Sequence, residues 1–159
     1  MRLLLLSVGR SKPGPERELV DRYISRAAAA GRGIGFSAID VREIDESRAR
    51  RPDDRKLDEA KAIRAAIGTA QVIACDETGK NLSSADFAAA LAQPRDTGVG
   101  SLALVIGGPD GLAAEVRTEA RLVLAFSAMT WPHQLARVLA AEQIYRAMAI
   151  LSGHPYHRA

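Results

Sequence analysis

The 159-residue chain contains one cysteine, Cys75, so no disulfide can form within it, and a lone thiol suits a reducing cytoplasm. No apolar run approaches the ~20 residues of a membrane-spanning helix, so no membrane partner is expected. The opening Met1-Arg-Leu-Leu-Leu-Leu-Ser-Val8 is the nearest thing to a signal peptide. Its apolar part is too short and no convincing cleavage site follows, so it reads as a buried first strand. There is no G-x-G-x-x-G fingerprint and no P-loop, because no Lys-Ser/Thr follows the glycines at 107–111. A G-x-S-x-G nucleophile elbow is also missing. The only histidines are His133, His154 and His157. Although His154 and His157 are three residues apart, Pro155 disrupts a helical presentation and the chain has a single cysteine, so no metal site is expected. Neither sign of charge dominates: 22 basic against 19 acidic residues give +3. That balance permits an anionic partner without demonstrating one. With no internal repeat and no linker-like stretch, residues 1–159 read as one domain, long enough to bury a real core.

What is present alternates between strand and helix. Leu3 to Val8 is a continuous apolar run ending at Gly9, the pattern of a strand buried on both faces. Glu16 to Ala30 carries Leu19, Val20, Tyr23, Ile24 and Ala27 at helical spacing, and Gly31 to Gly35 ends it. A second strand is expected over Phe36 to Val41. Arg42 to Lys56 is irregular and holds Arg48, Arg50, Arg51, Arg55 and Lys56. It reads either as a solvated, mobile loop or as a phosphate-contacting one. Asp53 or Asp54 is the expected cap of the next helix, with Leu57, Ala60, Ile63 and Ile67 inward. A third strand is expected over Gln71 to Cys75, then a helix capped by Ser83 with Asp86 three residues on, ending near Gln93. Ser101 to Ile106 and Leu122 to Phe126 read as the last two strands, with a short helix between them. The final helix, Pro132 to about Leu151, should be about 30 Å long. Apolar residues spread around much of it, so it needs cover on more than one side, from its own chain or from a second subunit. The fold class is therefore α/β, a mainly parallel sheet flanked by helices.

Three strand-to-loop-to-helix junctions stand out: Cys75 into Asp76-Glu-Thr-Gly-Lys80; Ile106 into Gly107-Gly-Pro-Asp-Gly111; and Phe126 into Ser127-Ala-Met-Thr-Trp-Pro-His133. In an open α/β sheet such corners converge at the carboxyl ends of the strands, where ligands bind. Asp76 and Asp110 are candidate carboxylates there, although Asp110 also suits a helix start. The terminal Gly153-His-Pro-Tyr-His-Arg158 reads as a frayed end from composition alone.

Taken together, Leu104-Val-Ile-Gly-Gly-Pro-Asp-Gly111, Ser127-Ala-Met-Thr-Trp-Pro-His133, Arg137-Val-Leu, Glu142-Gln-Ile-Tyr-Arg146 and His154-Pro-Tyr-His-Arg158 closely resemble the RlmH family over the whole chain. These are SPOUT-class methyltransferases that modify N3 of a pseudouridine in bacterial 23S rRNA. The resemblance implies a C-terminal trefoil knot, which general folding rules would not choose. It implies S-adenosylmethionine held in that knot by Cys75, Gly108 and the stretch Ser127, Ala128, Met129, Thr130, Trp131 and Pro132. The family often has Leu where this chain has Cys75 and Trp131. The resemblance further implies a cytoplasmic homodimer acting on the assembled ribosome, without a metal. In the tail, His157 is then a candidate base, Tyr156 a stacking or hydrogen-bonding group, and Arg158 a phosphate ligand or a stabiliser of negative charge.

Overall fold

The computed structural model describes residues 1–157. Five strands and five helices alternate: β1 (Arg2–Val8), α1 (Pro15–Arg32), β2 (Ala38–Ile44), α2 (Pro52–Ile67), β3 (Gln71–Asn81), α3 (Ser84–Asp96), β4 (Ser101–Ile106), α4 (Ala114–Glu119), β5 (Leu122–Ala125) and α5 (His133–Ser152). They form one sheet in the order β2-β1-β4-β3-β5, and every strand pair is parallel.

The continuous apolar runs of β1 and β4 are explained by two cores. Leu3, Leu5, Leu102, Leu104 and Ile106 pack with residues of α1, α3 and α5. Leu6, Val8, Ala103 and Val105, on the opposite face of the same strands, pack with Ala60 and Ile63 of α2 and Val116 of α4. Side chains alternate along a strand, so a central strand covered on both faces is apolar at nearly every position, Ser7 being the buried polar exception in β1. Among the described residues no helix is long and apolar enough to cross a membrane.

Several expected boundaries move. The second strand starts at Ala38, because Phe36 is a core residue of the turn before it, 1% exposed. At the start of α2 the cap is Arg51, with Pro52 at the first helical position, and no side chain caps it. Asp53 and Asp54 instead occupy the first turn, where the helix dipole favours them. Leu57 points outward at 48% exposure, and Glu59 is buried in its stead. At α3 the Ser83 hydroxyl accepts the Asp86 amide as expected, but the helix continues through Pro94 to Asp96. Pro132 is the cap of α5 rather than its first residue.

The two-sided apolar character of α5 is met largely within the chain. Its contacts are chiefly with α1 and α3, and Ala140, Ala141, Ile144, Tyr145 and Met148 are buried there. What remains uncovered lies at its start, where Leu135 is 41% exposed next to Trp131 and Met129.

Candidate active site

The three corners do converge. At the carboxyl edge of the sheet they line one cavity of about 400 Å³, together with the first turn of α5. The order β1-β4-β3-β5 sets β4, β3 and β5 side by side, so the loops leaving them meet.

The first corner is longer than the sequence suggested, because β3 does not stop at Cys75. Leu124 of β5 pairs with Cys75 and again with Lys80, and Asn81 pairs with Ala125. The intervening residues bulge out and return to the same strand. Gly79 makes this possible: a Cβ there would lie 2.6–2.7 Å from backbone atoms of Leu124 and Val123. Asp76 is fixed by Thr78, whose hydroxyl and amide donate at 2.6 and 3.0 Å, and by Arg117 at 3.4 Å. Burial alone would raise its pKa, but these donors outweigh burial and lower it, so Asp76 is a carboxylate. The Cys75 thiol is pushed well up by burial and by Asp76, so it stays protonated and serves as a small apolar wall.

The second corner is a tight turn. The Gly111 amide donates to the Gly108 carbonyl at 2.9 Å, and Gly111 has φ +80°, a conformation open to glycine. A Cβ on Gly107 would press on the backbone of Gly111 and Leu112 at 2.8–2.9 Å. On Gly108 it would face the Glu59 carboxylate at 3.1 Å and Val8 at 3.2 Å, behind the loop rather than in the cavity. Asp110 is not a helix-start residue, since α4 begins at Ala114. Its carboxylate instead accepts from Nε and Nη2 of the Arg55 guanidinium, at 2.6 and 3.0 Å. That pairing holds its pKa below the usual carboxylate range.

The third corner folds around the Ser127 hydroxyl, which accepts the Met129 amide at 3.0 Å and the Trp131 indole N–H at 2.9 Å. Beneath it, His133 Nε2 lies 2.7 Å from the Val8 carbonyl. Arg137 Nη2, which can only donate, lies 2.7 Å from the same nitrogen, so Nε2 sits between a donor and an acceptor. Burial first and the Arg137 charge second lower the pKa of His133, which keeps it neutral at pH 7. Arg137 is 3% exposed and donates to Val8 O, Gly9 O, Ser11 Oγ and Glu43 Oε1. It ties the start of α5 to the ends of β1 and β2.

Of the residues expected to hold a cofactor, Cys75, Gly108, Ser127, Met129, Thr130 and Trp131 line the cavity. Ala128 and Pro132 belong to the same loop but do not line it. Lys56, Arg117 and His133 line it without having been assigned there. Arg117 had no readable signal, for its partner Asp76 is 41 positions away and meets it only through the β3–β5 neighbourhood.

The tail lies elsewhere. The Tyr156 hydroxyl donates to Glu142 at 3.1 Å, and its ring packs on Tyr145 at 4.5 Å and under Arg146. Burial and Glu142 raise its pKa to about 12. His157 Nδ1 is buried with no hydrogen-bond partner among the described residues. Neither Tyr156 nor His157 lines the cavity, and Arg158 lies outside the described residues. Among the described residues no cluster of three or more His, Cys, Asp or Glu is placed to hold a metal ion.

The chain is 55% identical over 160 residues to the ribosomal RNA large subunit methyltransferase H of Beijerinckia indica, with both chains covered completely. It is 55% identical to the protein of the same name from Methylocella silvestris, over 99% of each chain. A probable methyltransferase from Bordetella pertussis has the same fold, with a TM-score of 0.52 at 17% identity, over 92% of this chain and 95% of that one. A family model described as "Predicted SPOUT methyltransferase" matches residues 1–157, and with these full-length relatives it shows that the chain belongs to the SPOUT methyltransferase family.

Proposed function

We propose that the protein transfers a methyl group from S-adenosylmethionine to N3 of a pseudouridine in 23S rRNA of the assembled ribosome. It does so in the cytoplasm, as a homodimer of single-domain subunits spanning residues 1–159. The observation that carries this reading is the convergence of three strand-end corners on one cavity, in a chain whose full-length relatives are named as large-subunit rRNA methyltransferases.

The cavity suits that cofactor. Its size falls in the range of small-ligand sites. Gly107 and Gly108 offer open backbone, Ile106, Leu112 and Trp131 offer apolar surface for a flat purine, and Asp76, Glu77 and Asp110 line the cavity together with Lys56 and Arg117 as polar groups for the rest of the ligand. Cys75, Gly108, Ser127, Met129, Thr130 and Trp131 would contact it, with Ala128 and Pro132 shaping the loop. When bound, S-adenosylmethionine supplies an electrophilic methyl group. The protein's own tasks are to hold the uracil-type ring in line and to remove the N3 proton.

The tail carries the groups for the second task, with His157 as base, Tyr156 against the ring and Arg158 on negative charge. In its own subunit Tyr156 is docked on Glu142, six residues past Ala136 of the cavity lining and so about 9 Å along α5 from it. A second subunit is the economical source of a tail for that cavity. The exposed apolar residues Met129, Trp131 and Leu135 support a partner surface at the cavity end of α5. The unpartnered His157 Nδ1 is also a cost that a partner group or substrate would relieve. The double pairing of Leu124 and the close fit of Gly79 support reading Asp76–Lys80 as part of a trefoil knot around the C-terminal segment.

The test is methyl incorporation into assembled ribosomes, with mass mapping of the product. One methylated pseudouridine in 23S rRNA is expected. Preferential binding of NAD or ATP over S-adenosylmethionine, or ribosomes left unmethylated, would overturn the reading. Light scattering showing a monomer at micromolar concentration would remove the homodimer.

A further inference from the structure

We infer that the loop of residues 45–51 is a docking surface for phosphates of the RNA strand carrying the target nucleotide, held in register with the cavity by Arg55. This rests on the RNA-methyltransferase reading above and adds where the RNA lies.

The loop joins the carboxyl end of β2 to α2, at the same edge of the sheet as the cavity. It is hydrogen-bonded along its length. The Ser47 amide donates to Glu59 at 3.0 Å and its hydroxyl to Asp58 at 2.9 Å, and the Ala49 amide donates to the Ser47 hydroxyl at 3.2 Å. Arg55 then does two things at once. One arm donates to the Ala49 and Arg50 carbonyls at 3.1 and 3.0 Å, while the rest of the fork grips Asp110 of the cavity wall. A single planar guanidinium thus fixes the distance from the loop to the cavity, and the next residue, Lys56, lines the cavity itself.

The charges on the loop are sorted. Asp45 is paired with Arg10 at 2.5 Å, and Glu46 is turned toward Gly9, just past β1. Arg51 is paired with Asp54, Lys56 with Asp53 and Arg55 with Asp110. Arg48 and Arg50 are exposed and make no ion pair within 4.0 Å among the described residues. Two uncommitted guanidiniums on a tethered backbone, beside a cavity mouth, have the chemistry of phosphate recognition: each offers a planar fork of donors at little desolvation cost. Phosphate contacts position a nucleic acid without reading its sequence. Such positioning is what an enzyme with a net charge of only +3 needs in order to place one nucleotide at its cavity.

The test compares the wild type with Arg48→Ala/Arg50→Ala and with Arg26→Ala/Arg32→Ala. The second pair removes the same charge from exposed positions of α1 toward its carboxyl end, away from the cavity edge. Labelled protein is titrated with assembled ribosomes at salt concentrations between about 50 and 200 mM. S-adenosylmethionine affinity and methyl incorporation are measured on the same preparations. Losing two phosphate contacts should lower the slope of log affinity against log salt by about 1.5–2. The wild type should then lose roughly tenfold more affinity than the loop variant over that fourfold rise in salt. The α1 variant should keep the wild-type slope, and cofactor affinity should be unchanged in all three. Equal slopes in the two variants, while the wild type methylates ribosomes, would overturn the docking surface and leave the proposed function standing. A loop variant with weakened cofactor affinity would also overturn it, since the loop would then serve the cavity rather than the RNA. A wild type that neither binds nor methylates ribosomes would remove the proposed function and this inference together.

Discussion

Arg137→Met should be one of the most damaging substitutions outside the apolar core. The guanidinium is 3% exposed and donates four hydrogen bonds, two to backbone carbonyls of Val8 and Gly9 and two to Ser11 and Glu43. Burial lowers its pKa, with Glu43 and Glu46 pulling the other way, yet an arginine stays charged at any working pH. Methionine fills similar space without charge. It relieves the unpartnered Arg137 Nε but leaves the Gly9 carbonyl and Glu43 without this donor. Breaking a buried pair costs about 3–5 kcal/mol. Glu43 keeps the Ser11 amide at 3.0 Å, and its side chain is 21% exposed, so water recovers part of the loss. The lower end, about 3 kcal/mol, is therefore expected. For a domain of this size that is a fall in Tm of roughly 6–12 °C. The assay is thermal unfolding followed by circular dichroism at pH 7 and at one protomer concentration, because association would shift Tm. A cycle with Glu43→Gln isolates the pair, and a coupling of about 0.5–3 kcal/mol is expected. A Tm change under about 2 °C for Arg137→Met, or strict additivity in the cycle, would refute the claim that this arginine fastens α5 to β1 and β2.

Gly79→Ala should cost at least the roughly 3 kcal/mol at the top of the overpacking range, since its Cβ would meet backbone that cannot rotate away; Gly33→Ala, with open space and negative φ, is the control expected to unfold as wild type. In Gly108→Val the side chain would press on Glu59 and Val8 and push the turn toward the cavity, so a folded variant should bind S-adenosylmethionine more weakly; calorimetry giving equal affinity would remove this turn from the site. His157→Ala should slow single-turnover methylation by about 10²–10⁴-fold at saturating cofactor while cofactor affinity holds, and a loss below about tenfold would take the base role from it. For His133 the folded pKa is depressed, so below the unfolded value of about 6.5 the unfolded state binds more protons and stability falls as pH drops. Urea midpoints at pH 7.5 and 5.5 should therefore fall further for wild type than for His133→Gln, and Glu59, whose raised pKa acts in the opposite sense, cancels between the two proteins.

The periodicity of the chain was enough for the α/β alternation, the parallel sheet and the position of four strands within three residues, because a strand covered on both faces is apolar nearly throughout, as Leu102–Ile106 and, but for Ser7, Leu3–Val8 are. Local chemistry likewise announced the Ser83 cap and the tight Gly107–Gly111 turn, since both act within a few residues. Where β3 ends was not readable, because Asp76–Lys80 is polar and becomes strand only by returning to Leu124 across the fold. Leu57 was placed inward by spacing alone, and only the packing of α2 decided that Glu59 would be buried behind Gly108 while Leu57 faces solvent. The motif residues of the three corners were legible as a group, but the pairs that hold them, Asp110 with Arg55, Asp76 with Arg117 and Arg137 with Glu43, join positions 41 to 94 apart. A sequence displays the groups able to form such pairs and not which of them meet. The tail made the same point in reverse: Tyr156 and His157 read as site residues by resemblance, and only the tertiary structure decides that within one subunit Tyr156 docks on Glu142 of α5 and neither residue lines the cavity.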